Sequence, residues 1–222
     1  MDSVERHDWA VRDPCASPFV RYIRALRRFD ERWLLEVNPE LRETMTASTN
    51  SAPHSTAEQV PASALFADLD MEFSATRKLL ERFPDEHADW RPHDRSWTLA
   101  TLAAHVAELP GFGEVIAAQP EYDFAQTPYV ASTARTKAEL LELFDGSVAG
   151  LKQALAALDV PALMATWRLR AGDVEYQSGP RHELIRRIFM SHHVHHRGQL
   201  TVYYRLLGVP VPGPYGPSAD EG

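Results

Sequence analysis

The chain has 222 residues, is 44% hydrophobic and carries a formal net charge of −8 with its histidines neutral, which allows one well-buried core and a remainder. Its basic residues are scattered, apart from Arg24, Arg27 and Arg28, which Asp30 and Glu31 follow at once; no nucleic-acid partner is expected, because neutralising phosphates needs a continuous basic face. A single cysteine, Cys15, excludes an internal disulfide framework, no apolar run approaches the ~18 residues that span a membrane, and the N-terminus has no secretory apolar region, so a cytoplasmic protein without a membrane partner is expected.

In chain order, residues 18–37 read as an amphipathic helix carrying Phe19, Tyr22, Ile23, Leu26, Phe29, Trp33 and Leu34. Residues 44–61 are rich in Ser, Thr, Ala and Pro and read as a linker. Residues 1–60 are therefore expected to be an N-terminal extension, separable from a domain over 61–222. The first 44 are either a docking segment or the product of a start codon set too far upstream, since Met45 opens the linker.

Pro61 suits the first position of a core helix that runs to Phe83 through Leu65, Leu69, Phe73, Thr76 and Leu80, with Pro84 as its stop. After a loop over 85–95, a second helix capped by Ser96 or Thr98 extends to Ala118, and Pro110-Gly111 predicts a kink or break one turn beyond His105. A capping box at Thr136 and Glu139 opens a third helix, whose stripe Leu140, Phe144, Val148, Leu151, Leu155 ends near Pro161. Residues 167–176 alternate around Gly172-Asp173 and predict a short β-hairpin. The last helix follows Gly179-Pro180 and stops at Leu207, before Gly208. Four long helices with one β excursion predict an all-α fold: a four-helix bundle with a short β-hairpin before the last helix and functional side chains on facing helices. The proline-rich end, residues 209–221, is expected to be an ordered strap, with Val209, Val211 and Tyr215 spaced as on an extended strand and Asp220 and Glu221 reaching an arginine or a helix N-terminus.

The last helix holds the densest chemistry: four of the ten histidines lie between His192 and His196. His192 and His196 are four apart, so their Cβ atoms stack about 5–6 Å from each other on one helix face, a spacing that lets two imidazoles reach one transition-metal ion. Apolar Ile188, Phe189 and Met190 before them and Leu200 and Leu206 after them place the pair in a core-forming helix, where bare imidazoles are costly unless ligated or hydrogen-bonded. A pair alone leaves the geometry of an ion undefined. His7, His54, His87, His93 and His182 lie in polar, turn or helix-start surroundings, whereas His105 sits within the apolar repeat Leu99, Leu102, Ala103, Val106, Leu109, and it is the expected third ligand. Three neutral imidazoles leave an ion its full charge and an open position, the arrangement of a catalytic rather than a structural site. The metalloprotease pattern fails, since His193 stands where that pattern requires glutamate. Glu108 is a candidate base or outer partner of His105, and Tyr203 and Arg197 are further pocket candidates; no catalytic residue is assigned.

Thr98-Leu99-Ala100-Thr101-Leu102-Ala103-Ala104-His105, then His192-x-x-x-His196-Arg197-Gly198-Gln199-Leu200, and the ending from Tyr204 through Tyr215 to Glu221, resemble the DinB/YfiT-like metalloprotein superfamily over about residues 62–221. The resemblance implies the same bundle, commonly as a homodimer, and one divalent transition-metal ion held by His105, His192 and His196. His193 and His195 turn away by about 100° per residue and are not ligands. Three imidazoles suit zinc, nickel, copper or iron; zinc or nickel is expected. The resemblance further implies a metal-dependent enzyme acting on a small molecule, either a hydrolase or a transferase that uses a low-molecular-weight thiol. The alternative is a non-enzymatic stress- or DNA-damage-response protein that binds a metal or a small ligand.

Overall fold

The structure, a computed structural model, describes residues 65–221. The amphipathic stretch over 18–37, the linker over 44–61 and the start at Pro61 lie outside the described residues. Among the described residues the chain is helix-rich, with one three-stranded sheet, and no helix is long and apolar enough to cross a membrane.

Leu65 and Phe66 form a 3-10 turn, and the α-helix proper, α1, spans Leu69–Leu80. It buries Leu69, Glu72, Phe73, Thr76, Leu79 and Leu80, the three- and four-residue spacing of one helical face. Helix α2 spans Leu99–Ala118 and starts on Thr98, whose side chain accepts from the Thr101 N–H at 3.2 Å. The break expected at Pro110 is absent: α2 runs through it. Proline in a helix interior costs about 3 kcal/mol, and burial outweighs that here, because every α2 residue except Thr101, Glu108, Gly111, Glu114, Val115 and Ala118 is buried.

Helix α3, Lys137–Ala156, carries the capping box read from its sequence, with the Glu139 N–H donating to Thr136 Oγ1 and the Thr136 N–H to Glu139 Oε2. It ends at Ala156 rather than near Pro161. Pro161 instead lies in the first turn of a short helix α4, Val160–Met164, capped by Asp159, consistent with proline's fixed φ and missing N–H. Strands β1 (Glu121–Asp123), β2 (Thr166–Ala171) and β3 (Val174–Pro180) form one sheet in the order β1-β2-β3. The β2–β3 hairpin turns on Gly172 at φ +56°, a conformation that costs side-chain-bearing residues free energy. Strand β1 was not foreseen; three residues are too few to show an alternation. Residues 123–129 and 170–177 belong to a small separate unit. Within it Asp123 accepts from the Ala125 and Gly172 N–H groups and pairs with Arg170 at 2.8 Å.

The final helical run is continuous but not uniform. Helix α5 (Arg181–Leu184) passes into a π-helical turn (Ile185–Met190) and then α6 (Ser191–Leu206). The extra residue of the wide turn brings Leu184, Ile185, Ile188 and Phe189 all inward. At the far end Gly208 adopts φ +72°, the Val209 N–H donates to Tyr204 O at 3.0 Å and the Gly208 N–H to Arg205 O at 3.2 Å, a Schellman close of the kind its sequence implied. Residues 209–221 join no sheet; with four prolines lacking donors, side-chain carboxylates hold the segment, and Asp220 reaches an arginine as expected. Asp220 accepts from the Val211 N–H and pairs with Arg205, while Glu221 accepts from the Gly213 and Ser218 N–H groups.

Helix α1 packs on α3 and α6, and α2 packs on α3, α6 and the π turn. Two buried arginines lock this arrangement. Arg181 points its guanidinium at the C-terminal end of α2, with Nη1 donating to the carbonyls of Ile116, Ala117 and Gln119 at 2.6, 2.9 and 2.6 Å and Nε donating to Ala162 O at 3.2 Å. It satisfies carbonyls that the helix leaves without partners and places positive charge at the negative end of its dipole. Arg197 joins α6 to α1 through Glu72 Oε2 at 2.6 Å, with Thr76 Oγ1 and Tyr215 Oη also bound.

Arg181→Met should lower the denaturant-unfolding free energy by about 3 kcal/mol, since it strips partners from several buried carbonyls at once; urea titration of both proteins measures it. Removing residues 209–222 should lower the melting temperature by several degrees, because Val211 and the Tyr215–Arg197 contact go with them, and calorimetry reads that loss.

Candidate metal centre

Helices α2 and α6 face each other with His105 on one and His192 and His196 on the other. The three residues are 5, 1 and 6% exposed. His192 Nε2 lies 3.3 Å from His105 Nε2 and 2.8 Å from His196 Nε2, and one ligand atom from each ring falls within 4.8 Å of the other two. The structure thus brings together the three histidines singled out in the sequence.

The opposite nitrogen of each ring is already engaged. His105 Nδ1 is bonded to Glu108 Oε1 at 3.0 Å, His196 Nδ1 to Gln199 Oε1 at 2.7 Å and His192 Nδ1 to the Ile188 carbonyl at 3.3 Å. All three partners are oxygen acceptors, so each Nδ1 must carry the proton and donate. A neutral ring protonated at Nδ1 presents a bare lone pair at Nε2, so the close Nε2 approaches are between electron-pair donors rather than hydrogen bonds. Two nitrogens about 2.0–2.1 Å from a single zinc ion in a tetrahedral arrangement stand about 3.3 Å apart. The His105–His192 distance matches that, and His196 needs a shift of about half an ångström. The donor set therefore fits a divalent transition metal.

The electrostatics agree. Burial, reinforced by His105 and His196, pushes His192 down to about 2, and burial followed by His105 pushes His196 down to about 4. Both rings are neutral, and so competent as ligands, at any ordinary pH.

Other candidates fall into distinct places. Trp97 stacks on His196, with ring centroids 5.5 Å apart, and sets its edge against His105 at 5.2 Å, so an indole shelters two of the three imidazoles. Tyr203 donates to the Trp97 carbonyl at 3.3 Å and packs its ring on Trp90, a role one layer outside the triad. Arg197 faces α1 rather than the triad, as the ion-pair partner of Glu72. His193 is buried among Phe73, Phe144 and Phe189, away from the other three rings, and His195 is exposed. Sequence reasoning named Gln199 only as part of a signature and passed over Trp97. The i+3 offset of Gln199 from His196, the same as that of Glu108 from His105, was the available signal; Trp97 offered none.

The sequence pattern of the DinB family matches residues 45–222, four-fifths of the chain. This chain belongs to the DinB family. The uncharacterized protein YrdA of Bacillus subtilis is 30% identical to it over 152 residues, 68% of this chain and 86% of YrdA. Among solved structures, the DinB-like protein YjoA of Bacillus subtilis superposes with a TM-score of 0.54 at 19% identity, covering 68% of this chain and 97% of its own. A DinB-like protein of Bacillus cereus gives 0.51 at 21%, covering 67% and 94%. At these identities the two structures show a shared fold.

The depressed histidines of this DinB protein make its stability pH-dependent. A histidine near 6.5 when unfolded and lower when folded binds more protons in the unfolded chain across that interval, so stability rises with pH there. Metal-free protein should lose stability progressively as pH falls from about 6.5 towards 4 and change little above 7. Chemical denaturation across pH 4–8 in the presence of a chelator tests this, and a flat profile contradicts it.

Proposed function

We propose that this DinB protein is a four-helix bundle, built from α1, α2, α3 and the α5–α6 run, that holds one divalent transition metal on His105, His192 and His196 and acts as a metal-dependent enzyme on a small molecule. The observation that carries the reading is the convergence of three Nε2 lone pairs whose rings are each fixed from behind through Nδ1. Among the described residues this ligand group has three members rather than four, the number that distinguishes catalytic from structural zinc sites and favours an enzyme over a non-enzymatic stress- or DNA-damage-response protein.

When bound, a divalent ion on three neutral imidazoles keeps its full charge and supplies Lewis acidity, lowering the pKa of a water or thiol brought to it. The protein's own residues do the rest. Glu108, Gln199 and the Ile188 carbonyl hold the Nδ1 protons and with them the ring orientations. Trp97 covers His105 and His196 and keeps bulk water from that side. The reaction is hydrolysis or transfer by a low-molecular-weight thiol, with the metal being zinc or nickel. In the same reading the protein works in the cytoplasm as a homodimer, without nucleic-acid or membrane partners, and residues 1–60 form an extension separable from the domain at 61–222.

Metal analysis of the wild type and of His105→Ala, His192→Ala and His196→Ala tests the core of this. One equivalent of metal is expected in the wild type, and each variant should bind at least tenfold more weakly. Full stoichiometry and affinity in His105→Ala would falsify the three-ligand reading. Screening the loaded protein for hydrolysis, and for thiol addition to electrophiles in parallel, separates the two chemistries.

A further inference from the structure

Resting on the metal reading above, we propose that Glu108 is a positioning residue that ties the His105 ligand to the segment over 130–136 and the start of α3, and that it is not a proton acceptor for the reaction. Its two oxygens have separate tasks. Oε1 is bonded to His105 Nδ1 at 3.0 Å, and Oε2 accepts the Ser132 backbone N–H at 2.9 Å. The carboxylate therefore lies behind the imidazole, with the ring between it and the point where the Nε2 atoms meet. A general base must come within about 2.6–3.2 Å of the proton that it removes, or within one water of it. Glu108 sits on the wrong side of the ring for that.

Charge sets Glu108 apart from the other two partners. Gln199 and the Ile188 carbonyl are neutral acceptors, whereas Glu108 is the anion among the three. A carboxylate on Nδ1–H makes Nε2 a stronger donor and fixes the tautomer. Beyond Ser132 further hydrogen bonds hold the rest of the segment. The Ala134 N–H donates to Ser132 Oγ at 3.2 Å, the Arg135 and Thr136 N–H groups donate to Glu139 Oε2, and Glu139 belongs to the capping box of α3. A loop without secondary structure is thus anchored at one end to a metal ligand and at the other to a helix start. An ion bound at His105 would polarise the ring, strengthen the bond to Glu108 and, through it, the hold on Ser132.

The test compares wild type, Glu108→Ala and Glu108→Gln by three readouts. These are zinc affinity by competition with a chromophoric chelator, the visible spectrum of the cobalt-loaded protein, and hydrogen exchange of the Ser132 amide with and without metal. The wild type should show slower Ser132 exchange when loaded. Glu108→Ala should bind zinc roughly 10–100-fold more weakly, shift the cobalt spectrum and lose the metal effect on Ser132. Glu108→Gln keeps the side-chain size should the alanine variant fail to fold. Its amide oxygen can serve His105 while its NH2 opposes the Ser132 donor, so its affinity should fall less and the Ser132 effect should vanish. Wild-type affinity with an unchanged cobalt spectrum in a folded variant overturns the proposal, and a lowered melting temperature with affinity intact does the same by leaving Glu108 only a loop anchor. A wild type that binds no metal overturns the metal reading and this inference together.

Discussion

An imidazole in an apolar helical core has two nitrogens to satisfy and no water to help, and the arrangement around α6 follows from that constraint. His105, His192 and His196 meet it by turning Nδ1 to an acceptor one helical turn away on their own run of helix and Nε2 to a shared point. His193, next in sequence to His192, meets it incompletely. It is stacked against Phe144 and Phe189 at 6.2 and 5.8 Å, and its Nε2 has no hydrogen-bond partner. A buried polar atom left so costs about 1–3 kcal/mol, and burial pushes that ring down to about 3, so it stays neutral. Neighbouring residues on one helix thus divide between a polar cluster and an aromatic box.

That division requires α6 to be held at one rotation about its axis, and the ion pair of Arg197 with Glu72 provides this. Both partners are buried, and the guanidinium also reaches the Glu72 carbonyl, Thr76 and the hydroxyl of Tyr215, which in turn donates to Glu72. Breaking a buried pair by removing one member typically costs about 3–5 kcal/mol, because the remaining charge is stranded. Arg197 follows His196 directly, so the contact that fixes α6 on α1 also fixes the direction in which His196 and His192 leave the other side. At the opposite end Arg181 does the corresponding task for the C-terminus of α2, and the π turn lies between the two anchors.

Which histidines converge was legible because the signals are local: a four-residue spacing in an apolar run and a lone histidine in an apolar repeat. The helix starts at Thr98 and Thr136 and the turns at Gly172 and Gly208 were legible for the same reason. What escaped depends on distant partners. Arg197 remained an open pocket candidate because Glu72 lies 125 residues away in sequence. The Ile188 carbonyl that His192 meets lies in a π turn whose residues read as ordinary helix. Pro110 was taken as a possible break because proline's local penalty is visible in sequence, whereas the packing that overrides it on nearly every side of α2 is not. Strand β1 exists through pairing with β2 and has too few residues to announce itself.

The separation of the three histidines along the chain also bears on how and when the cluster comes into being. His105 and His192 are 87 residues apart, so bringing them together closes a loop whose entropic cost is of the order of 4 kcal/mol. The pair on α6 needs nothing more than local helix. In the proposed metal reading, an ion would find two histidines on the last helix alone and the third only once α2 has docked. On the proposed reading, tight binding would be confined to the folded state, and metal supply would act on the folding equilibrium by mass action. Occupancy would, in turn, become a tally of correctly folded chains.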